Sequence, residues 1–473
     1  MTPYLRNPDS ELAVPISTVC PNKPEGWLAN LSGHERSWVE ANGFEGKGGQ
    51  ICLLPTSAGQ IGRVLLGADN KDDPWIYGEL ARSLPHGVYR LDSINDSGER
   101  MATLAAMAWA MGGYSFDRYL SEKSIKHSSL IWPELADRAY VKRSVAGSCL
   151  TRDLINTPAE DMGPDVLADE AKQLAGAFGA TIEVIVDDEL LNRNYPAIHT
   201  IGRAAAKPPM LIDVRWGSIE NPMITLVGKG VCFDTGGLDL KPSSSMRLMK
   251  KDMGGAANIL GLAHMIMAAD LPVRLRVLIP AVENAIAGNA YRPGDIVNTR
   301  KGITVEIGNT DAEGRVVLAD AISEAVSESP MLLVDCATLT GAARVALGPD
   351  MPAMFSNDDE LAQKLGSLAN LHHDPIWRLP LWEPYKTLIE SKIADINNAG
   401  TSSFAGAITA ALFLKEFVGE NIPWVHLDMF GWNSVNRPGR PIGGEACAQR
   451  ALFALIESHI SDWARSPRVI QSD

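Results

Sequence analysis

The sequence predicts an α/β protein: a small N-terminal α/β domain joined by a long helix to a larger α/β domain with a central mixed, mainly parallel sheet. Three observations support this prediction. The chain has 473 residues, enough for two or three domains with separate cores. Apolar strand patterns alternate with helical patterns in its second part. One long helical pattern, residues 134–156, precedes that alternation.

The first 130 residues are predicted to form the small domain. Strand patterns occur at Ile51–Leu54, Arg63–Leu66 and Val88–Leu91, and the helical run Arg100–Met111 ends at a glycine pair. No motif in this part collects acids, histidines or cysteines into a site, so we expect the small domain to have no catalytic role. The linker helix is predicted within residues 131–157, where a threonine–proline pair ends it.

Residues 158–473 are predicted to form the larger domain. Its strand patterns are Thr181–Val186, Met210–Val214, Met223–Val227, Arg274–Ile279, Met331–Val334 and Trp424–Leu427. Its helical patterns are 254–268, 316–327, 404–418 and 443–457. In largely parallel sheets, functional sites form beyond the carboxyl ends of the strands. For Asp213 and Asp335, which end two apolar runs, a turn or cap role is expected.

Composition excludes several classes of partner. The net charge of −14 argues against nucleic acid or an anionic membrane as the main partner. The first 20 residues lack the pattern of a signal peptide, and no run of about 18 apolar residues predicts a membrane span. The six cysteines are scattered and form no CxxC motif. We therefore expect a cytoplasmic protein with reduced cysteines.

Acids and glycines concentrate in two segments of the larger domain. In residues 224–258, Asp234 lies in a glycine-rich turn and Asp252 precedes a helix start. The second segment, NTDAEGR, contains Asp311 and Glu313. At this i, i+2 spacing, their side chains would leave an extended segment on the same side, which suits two ligands of one cluster.

Four converging acids would repel strongly, since like charges about 4 Å apart cost several kcal/mol in a poorly hydrated pocket. Nearby lysines or arginines would make them a structural ion-pair network, whereas two divalent cations would make them a metal centre that activates a water. The residues alone leave both interpretations open. The sequence contains no GxxxxGK[ST], HExxH or GxSxG motif, so a phosphate-binding loop, an HExxH zinc peptidase and a serine hydrolase are all disfavoured.

Six motifs of the larger domain resemble those of one enzyme family. In chain order they are INTPAEDMGP, VGKGVCFDTGGLDLKPSSSM, KDMGGAA, AYRPGDI, NTDAEGR and CATLTGA. In these motifs and their separations the sequence resembles the leucyl aminopeptidases of the M17 family, which are cytosolic dimetal peptidases. The resemblance covers roughly residues 150–420 and fades in the first 130 residues. It favours the metal centre over the ion-pair network.

The resemblance implies a site for two divalent metal ions, Mn²⁺ or Zn²⁺. One ion would be held by Lys229, Asp234, Asp252 and Glu313. The second, more exchangeable ion would be held by Asp234, Asp311 and Glu313. Asp234 and Glu313 would then bridge both ions. Lys229 would bind through its neutral amine, because two adjacent dications lower its pKa.

The resemblance also implies two catalytic residues, Lys241 and Arg315. A water activated by the metals would attack the peptide carbonyl, and Lys241 would donate to the developing oxyanion. Arg315 would hold a bicarbonate as proton shuttle to the leaving amine. The Gly314 backbone and the region of Leu339 would help to bind this anion.

Substrate and assembly are implied in the same way. Met249, Thr338 and Gly341 match the family's substrate pocket, which implies a preference for leucine or other apolar residues at the N terminus of short peptides. The remaining wall falls near residues 427–447, where the sequence departs from the family, so no residue is assigned there. The family further implies a homohexamer with active sites facing an inner cavity.

Two other interpretations are weaker. Some bacterial relatives bind DNA and have regulatory roles, but such a role needs a basic surface groove, which the acidic charge and short Lys/Arg clusters do not favour. An inactive scaffold is disfavoured because the catalytic motif positions are intact. These positions are Lys229, Asp234, Lys241, Asp252, Asp311, Glu313 and Arg315.

Overall fold

The computed structural model describes residues 4–8, 13–92, 94–121 and 127–465. The chain packs as two units. The first runs to Cys149 and includes residues 434–442, and the second contains residues 150–433 and the chain from Gly443 onward. This division falls inside the long helix. The boundaries 1–130, 131–157 and 158–473 stay a prediction.

The N-terminal unit has an α/β structure. Its described strands are β1 Leu5–Arg6, β2 Val14–Val19, β3 Ile51–Pro55, β4 Ile61–Gly67, β5 Val88–Leu91 and β6 Ser129–Ile131. Its described helices are α1 Pro24–Leu28, α2 Gly33–Ala41, α3 Leu80–Ser83 and α4 Gly98–Gly112. The strand order is β1-β6-β5-β2-β4-β3, and the pairs are parallel except β4 with β3. The long helix, α5, then spans Arg138–Asn156.

The second unit contains the larger sheet. Its strands, within the described residues, are β7 Thr181–Val186, β8 Met210–Trp216, β9 Met223–Gly228, β10 Gly230–Asp234, β11 Arg274–Asn284, β12 Ile296–Asn298, β13 Thr304–Glu306, β14 Leu332–Ala337, β15 Ala353–Ser356, β16 Trp377–Arg378, β17 Ile396–Asn397, β18 Trp424–Asp428, β19 Trp432–Asn433 and β20 Gly443–Gly444. Its helices are α6 Pro164–Phe178, α7 Asp188–Asn192, α8 Pro196–Gly202, α9 Ser243–Met246, α10 Gly254–Ala268, α11 Glu313–Val326, α12 Gly341–Leu347, α13 Asp359–Leu371, α14 Gly406–Val418 and α15 Gln449–Arg465. Across the described ranges, no helix is both long and apolar enough to cross a membrane.

The larger sheet is mixed with a parallel centre. Its order is β16-β15-β18-β14-β9-β11-β8-β7, and β10 pairs with β11 at the end of that strand. The central strands β18, β14, β9 and β11 are parallel, whereas β8, β7 and β15 run antiparallel to their inner neighbours. The predicted fold class is confirmed. Helix α15 begins at Gln449 and not at 443, because Gly443–Gly444 pair with β19.

Helices α10 and α11 cover opposite faces of this sheet. At the end of β9, Val227 belongs to the core cluster that contains Val316 and Val317 of α11. The next residue, Gly228, points to the other face, where an added Cβ would lie 2.6 Å from Cα of Ala256 in α10. The glycine therefore lets α10 approach the strand ends closely.

The turn or cap role expected for Asp213 is wrong. Asp213 lies within β8, and its Oδ2 accepts a hydrogen bond of 2.7 Å from Nη2 of Arg276 on neighbouring β11. The same guanidinium pairs with Glu324 of α11 at 2.6 Å and with Glu328 at 2.8 Å. Arg276 is only 2% exposed, so this cluster ties the helix to the sheet inside the protein.

Asp335 is likewise not a cap. It lies inside β14. Its Oδ2 accepts a hydrogen bond of 2.6 Å from Nε1 of Trp424, and its Oδ1 lies 2.6 Å from Nδ1 of His426. Burial acts to lower the pKa of His426, but the Asp335 carboxylate outweighs burial and the pKa is raised. This buried pair links β14 to β18.

The Arg276 cluster predicts a large difference between two arginine substitutions. Arg276→Met leaves buried acids without their cation, and we expect it to lower the free energy of unfolding by about 3–5 kcal/mol. The control, Arg274→Gln, removes a half-buried arginine that pairs with Glu328 at 2.7 Å, and should cost less than about 1 kcal/mol. Guanidinium unfolding followed by tryptophan fluorescence measures both. Equal effects would contradict the importance assigned to the buried cluster.

Candidate metal centre

The parallel strands bring distant residues to one edge of the sheet. Lys229 directly follows β9, and its backbone N–H donates to the carbonyl of Cys336 in β14 at 3.0 Å. Thr338 follows β14, and its hydroxyl donates to Oδ1 of Asp252 at 2.8 Å. Asp252 lies two residues before α10, whose close approach to the strands places it here. The site therefore forms beyond the carboxyl ends of the strands, as predicted.

Lys229 is the centre of the inner half of the site. Its Nζ lies 2.7 Å from Oδ2 of Asp252 and 2.9 Å from Oε1 of Glu313. It also donates to the carbonyl of Thr338 at 3.1 Å. Burial acts to lower the pKa of Lys229, but Asp252 and Glu313 outweigh burial and raise it.

Lys241 is the centre of the outer half. Its Nζ lies 2.7 Å from Oδ2 of Asp234 and 2.5 Å from Oδ1 of Asp311. Asp234 is buried, whereas Asp311 is partly accessible. The structure thus brings together the five residues predicted as ligands and the lysine predicted to be catalytic.

The donor set suits divalent cations better than it suits a closed ion-pair network. Asp234, Asp252 and Glu313 are buried and offer carboxylate oxygens within 4.8 Å of one another. Within the described part of the chain, Oε2 of Glu313 has no hydrogen-bond partner. Burial, and then the nearby Asp234 carboxylate, raises the pKa of Glu313 to about 8. Two lysines therefore leave the four acids incompletely neutralised, which is the situation that bound metal ions relieve.

The local backbone differs from the sequence expectation at Asp311 and Glu313. The expectation of an extended segment is wrong, because Asp311 lies in a turn and Glu313 is the first residue of α11. The two carboxylates still enter one cluster, each paired with a different lysine. The turn, and not a strand, brings them together.

The structure explains why position 314 is a glycine, which the spacing of the motif residues in the sequence does not show. An added Cβ would lie 2.5 Å from Cε and 2.7 Å from Nζ of Lys229. A side chain at position 314 would thus displace the Lys229 amine. Gly236 is constrained in a similar way, since its φ is +87° and an added Cβ would lie 2.9 Å from Oδ1 of Asp311.

Sequence patterns miss the residues that orient the ligands. Asn284, at the end of β11, donates to Oδ1 of Asp234 at 2.9 Å and to the carbonyl of Thr310 at 3.0 Å. The hydroxyl of Tyr291 donates to the same carbonyl at 2.5 Å. Asn398 accepts from the Gly308 backbone at 2.8 Å. These contacts fix the loop before α11, and no sequence pattern indicated them, because the predicted strand ended at Ile279 whereas β11 extends to Asn284.

The proposed anion-binding residues lie beside this cluster. Nη1 of Arg315 donates to the carbonyl of Asn398 at 2.8 Å, and its Nε has no partner among the described residues. Burial lowers the pKa of Arg315 to about 10. The backbone N–H of Leu339 already donates to Oδ1 of Asp428 at 3.0 Å. Leu339 therefore lies at the site, but its amide is occupied.

An open cavity of about 490 Å³ adjoins the cluster. Met249, Thr338 and Gly341, the predicted pocket residues, line it together with the two lysines at positions 229 and 241. The wall that the sequence left unassigned includes Met429 and Phe430. Lys251 and Arg344 also line the cavity, and sequence patterns gave no reason to select either.

Two family models and several known proteins match this chain over most of its length. The model of the cytosol aminopeptidase family catalytic domain matches residues 149–453, and that of the M17 aminopeptidase N-terminal domain matches residues 14–133. The chain is 37% identical over 454 residues to a probable cytosol aminopeptidase of Syntrophotalea carbinolica, covering 89% of this chain and 90% of that one.

Two solved structures are similar over nearly the whole chain. A cytosol aminopeptidase from Coxiella burnetii has a TM-score of 0.93 and 49% identity, covering 96% of this chain and 99% of that one. The bottromycin maturation enzyme BotP in complex with Mn has a TM-score of 0.84 and 31% identity, covering 95% and 100%. The expectation of an aminopeptidase is confirmed. The chain belongs to the cytosol aminopeptidase family, M17.

Proposed function

We propose that the protein is a metal-dependent aminopeptidase that releases N-terminal residues, preferably leucine or other apolar residues, from short peptides. The observation that carries this proposal is the cluster of Lys229 and Lys241 with four carboxylates at the edge of an open cavity. The incomplete neutralisation of those carboxylates supports a metal centre. The position of the cluster beyond the carboxyl ends of the strands supports a catalytic role, because active sites of such sheets form there.

We propose that Lys229, Asp234, Asp252 and Glu313 hold one ion and that Asp234, Asp311 and Glu313 hold the other. When bound, divalent ions acidify a water and polarise a carbonyl, which is the chemistry that peptide hydrolysis needs. Mn²⁺ or Zn²⁺ is proposed, and the Mn complex of BotP supports manganese. Asn284 would keep Asp234 oriented through its 2.9 Å hydrogen bond.

Lys241 is proposed to donate to the oxyanion that develops on the scissile carbonyl. Burial acts to lower the pKa of Lys241, but the Asp234 carboxylate outweighs burial and raises it. Its side chain lines the cavity, where a substrate carbonyl can reach it. Its three N–H donors allow it to keep an acid partner while it binds an oxyanion.

Arg315 is proposed to bind bicarbonate, which would supply a proton-transfer group near the leaving amine. The unpartnered Nε of Arg315 and the adjacent start of α11 both favour an anion here. Gly314 would contribute backbone from the first turn of that helix. Leu339 would line the anion site without donating its backbone N–H to the anion, because that N–H already donates to Asp428.

Met249, Thr338 and Gly341 are proposed to line the pocket for the N-terminal side chain. The additional apolar surface of Met429 and Phe430 supports leucine as a substrate. We also propose a cytoplasmic homohexamer whose inner cavity limits access to short peptides. The DNA-binding alternative finds no support in the cluster or in the acidic net charge of −14.

Removing and restoring metals tests the proposal directly. Chelation should abolish release of leucine from leucyl-amide, and Mn²⁺ or Zn²⁺ should restore it, whereas Mg²⁺ should not. The assay compares a panel of aminoacyl-amides, with each metal added separately. Full activity in protein shown to contain no metal would refute the proposed mechanism.

Glu313→Gln tests the bridging position. The variant should lose bound metal and reduce kcat by at least about a thousandfold. The thermal unfolding midpoint, compared between the metal-free proteins, should be retained, because loss of the ion pair with Lys229 is offset by loss of the buried repulsion with Asp234. Glu360→Gln, at an exposed position in α13, serves as the control and should keep activity and metal content. A metal-replete, active Glu313→Gln protein would contradict the assignment.

Lys241→Met tests the oxyanion contact. We expect kcat to fall about 10²- to 10³-fold while KM changes little, because the contact strengthens in the transition state. The control is Lys172→Met, which removes an exposed lysine paired with Asp169. An unchanged kcat with a raised KM would show that Lys241 binds the substrate and does not stabilise the oxyanion.

A further inference from the structure

The N-terminal unit contains a cavity that the proposed aminopeptidase function does not use. Its volume is about 880 Å³, compared with about 490 Å³ for the substrate cavity. Its lining residues all lie between positions 17 and 92, so the cavity belongs to the N-terminal unit alone. Cavities of this size commonly hold small molecules.

The cavity lies where the strand connections of the smaller sheet diverge. Strands β5, β2 and β4 are adjacent and parallel, so their carboxyl ends share one edge of the sheet. From β2 the chain continues to β3 on one side, whereas from β5 it continues to β6 on the other. The crevice at such a divergence is where open α/β sheets bind their ligands. Residues at or just after the three strand ends line the cavity, namely Val19, Cys20, Asp69 and Asp92.

Three basic side chains in the cavity wall lack an acid partner. They are Lys23, Arg63 and Lys71. Within the described residues, no hydrogen bond or ion pair engages any of these three side chains. Glu35 interacts with Arg63 only at longer range, and its carboxylate accepts from the Ser32 backbone at 2.7 Å.

The two acids of the wall are engaged by other groups. Oδ1 of Asp92 pairs with Arg90 at 2.5 Å, and its Oδ2 accepts from Ser17 at 3.2 Å. Oδ1 of Asp69 accepts from the Gly48 backbone at 3.0 Å. The wall therefore keeps an excess of positive charge. A phosphate dianion complements three such cations better than a single carboxylate does.

An aromatic side chain forms another part of the wall. Trp27 of α1 donates from Nε1 to the carbonyl of Cys20 at 3.2 Å, and its ring packs edge-on against Phe44 at a centroid distance of 5.6 Å. These two contacts hold the indole in one orientation. Its ring is half-buried and lines the cavity. A fixed, accessible indole is a surface on which a planar heterocycle stacks.

We propose that this cavity binds a nucleoside monophosphate. The phosphate would contact Arg63, Lys23 and Lys71, and the base would stack on Trp27. Asn22 also lines the cavity, and its amide would hydrogen-bond to a ribose hydroxyl. The proposal concerns binding and no chemical step, and it goes beyond the aminopeptidase function proposed above.

The test measures binding to the metal-loaded, full-length enzyme by isothermal titration calorimetry. The probes are adenosine 5′-monophosphate (AMP), ribose 5-phosphate and adenosine, because a sugar phosphate offers the same phosphate without a base. AMP should bind at least about tenfold more tightly than either fragment. Arg63→Gln should lower the affinity for AMP at least about tenfold. Lys71→Met, at an exposed position, should lower it a few-fold, less so at high salt.

Trp27→Leu tests the stacking contact. This variant should lower the affinity for AMP about tenfold and leave that for ribose 5-phosphate unchanged. The matched control is Trp38→Leu, because Trp38 also donates to a backbone carbonyl, that of Leu53 at 3.0 Å, but does not line the cavity. Lys142→Met, exposed in α5, controls for the loss of one positive charge. Both controls should bind AMP as wild type does.

Glu313→Gln separates this cavity from the metal centre, where phosphate could also bind. AMP should bind this variant with unchanged affinity, and Arg63→Gln should hydrolyse leucyl-amide as wild type does. The thermal unfolding midpoint is measured for every variant, and if Trp27→Leu does not fold, Arg63→Gln decides. Loss of leucyl-amide hydrolysis in wild type would refute the aminopeptidase function and leave the nucleotide site standing.

Several results would overturn the inference. One is the absence of AMP binding at millimolar concentration, and another is binding that Arg63→Gln leaves unchanged or that Glu313→Gln abolishes. Equal affinity for ribose 5-phosphate and AMP would refute stacking on the indole. Tighter binding of a single-stranded oligonucleotide, weakened equally by Lys142→Met and Lys71→Met, would assign the cations to an extended basic surface.

Discussion

Electrostatic repulsion among four clustered carboxylates is the constraint on which the rest of the site depends. Three of these acids are buried, and the two lysines that pair with the four carry half of the opposing charge needed. Such an arrangement is unfavourable for a structural network, because each buried charge must recover its lost hydration. It is favourable only if additional positive charge binds among the carboxylates. The cluster therefore lowers the local stability unless additional positive charge binds there.

The surrounding fold holds this unfavourable cluster by rigid contacts. Four parallel strands end at one edge of the sheet, and the helices on its two faces begin there. Buried side chains beyond the acids supply the remaining orientation. Asn284 holds Asp234, Thr338 holds Asp252, and Asn398 holds the turn before α11. Each contact joins segments that are far apart in the sequence, so the geometry depends on the complete sheet.

Much of the site could be predicted because its residues occur in contiguous motifs. NTDAEGR contains two acids, Gly314 and Arg315, and the glycine-rich segment contains the remaining acids and both lysines. The alternation of patterns likewise predicted the sheet and its parallel centre. The local conformation at Asp311 and Glu313 was not predictable from spacing, because a turn and a helix start can bring two acids together as well as a strand can.

Other residues could not be found because their roles arise only from long-range packing. Pro280 argues against a continuing strand, yet β11 extends to Asn284 and delivers its amide to Asp234. Asp213 and Asp335 looked like strand ends, whereas their partners lie on other strands. Lys251 and Phe430 are about 180 positions apart in the chain and meet only when the cavity wall forms.

The contact between Gly314 and Lys229 limits how this centre can be altered. The lysine amine occupies the space that any β-carbon at position 314 would need. Changing the glycine alone would displace the buried amine of Lys229, and a shorter residue at position 229 alone would leave a void. A viable replacement of Gly314 by any residue with a β-carbon would therefore need a second replacement at Lys229, so that substitutions at these two positions are energetically coupled.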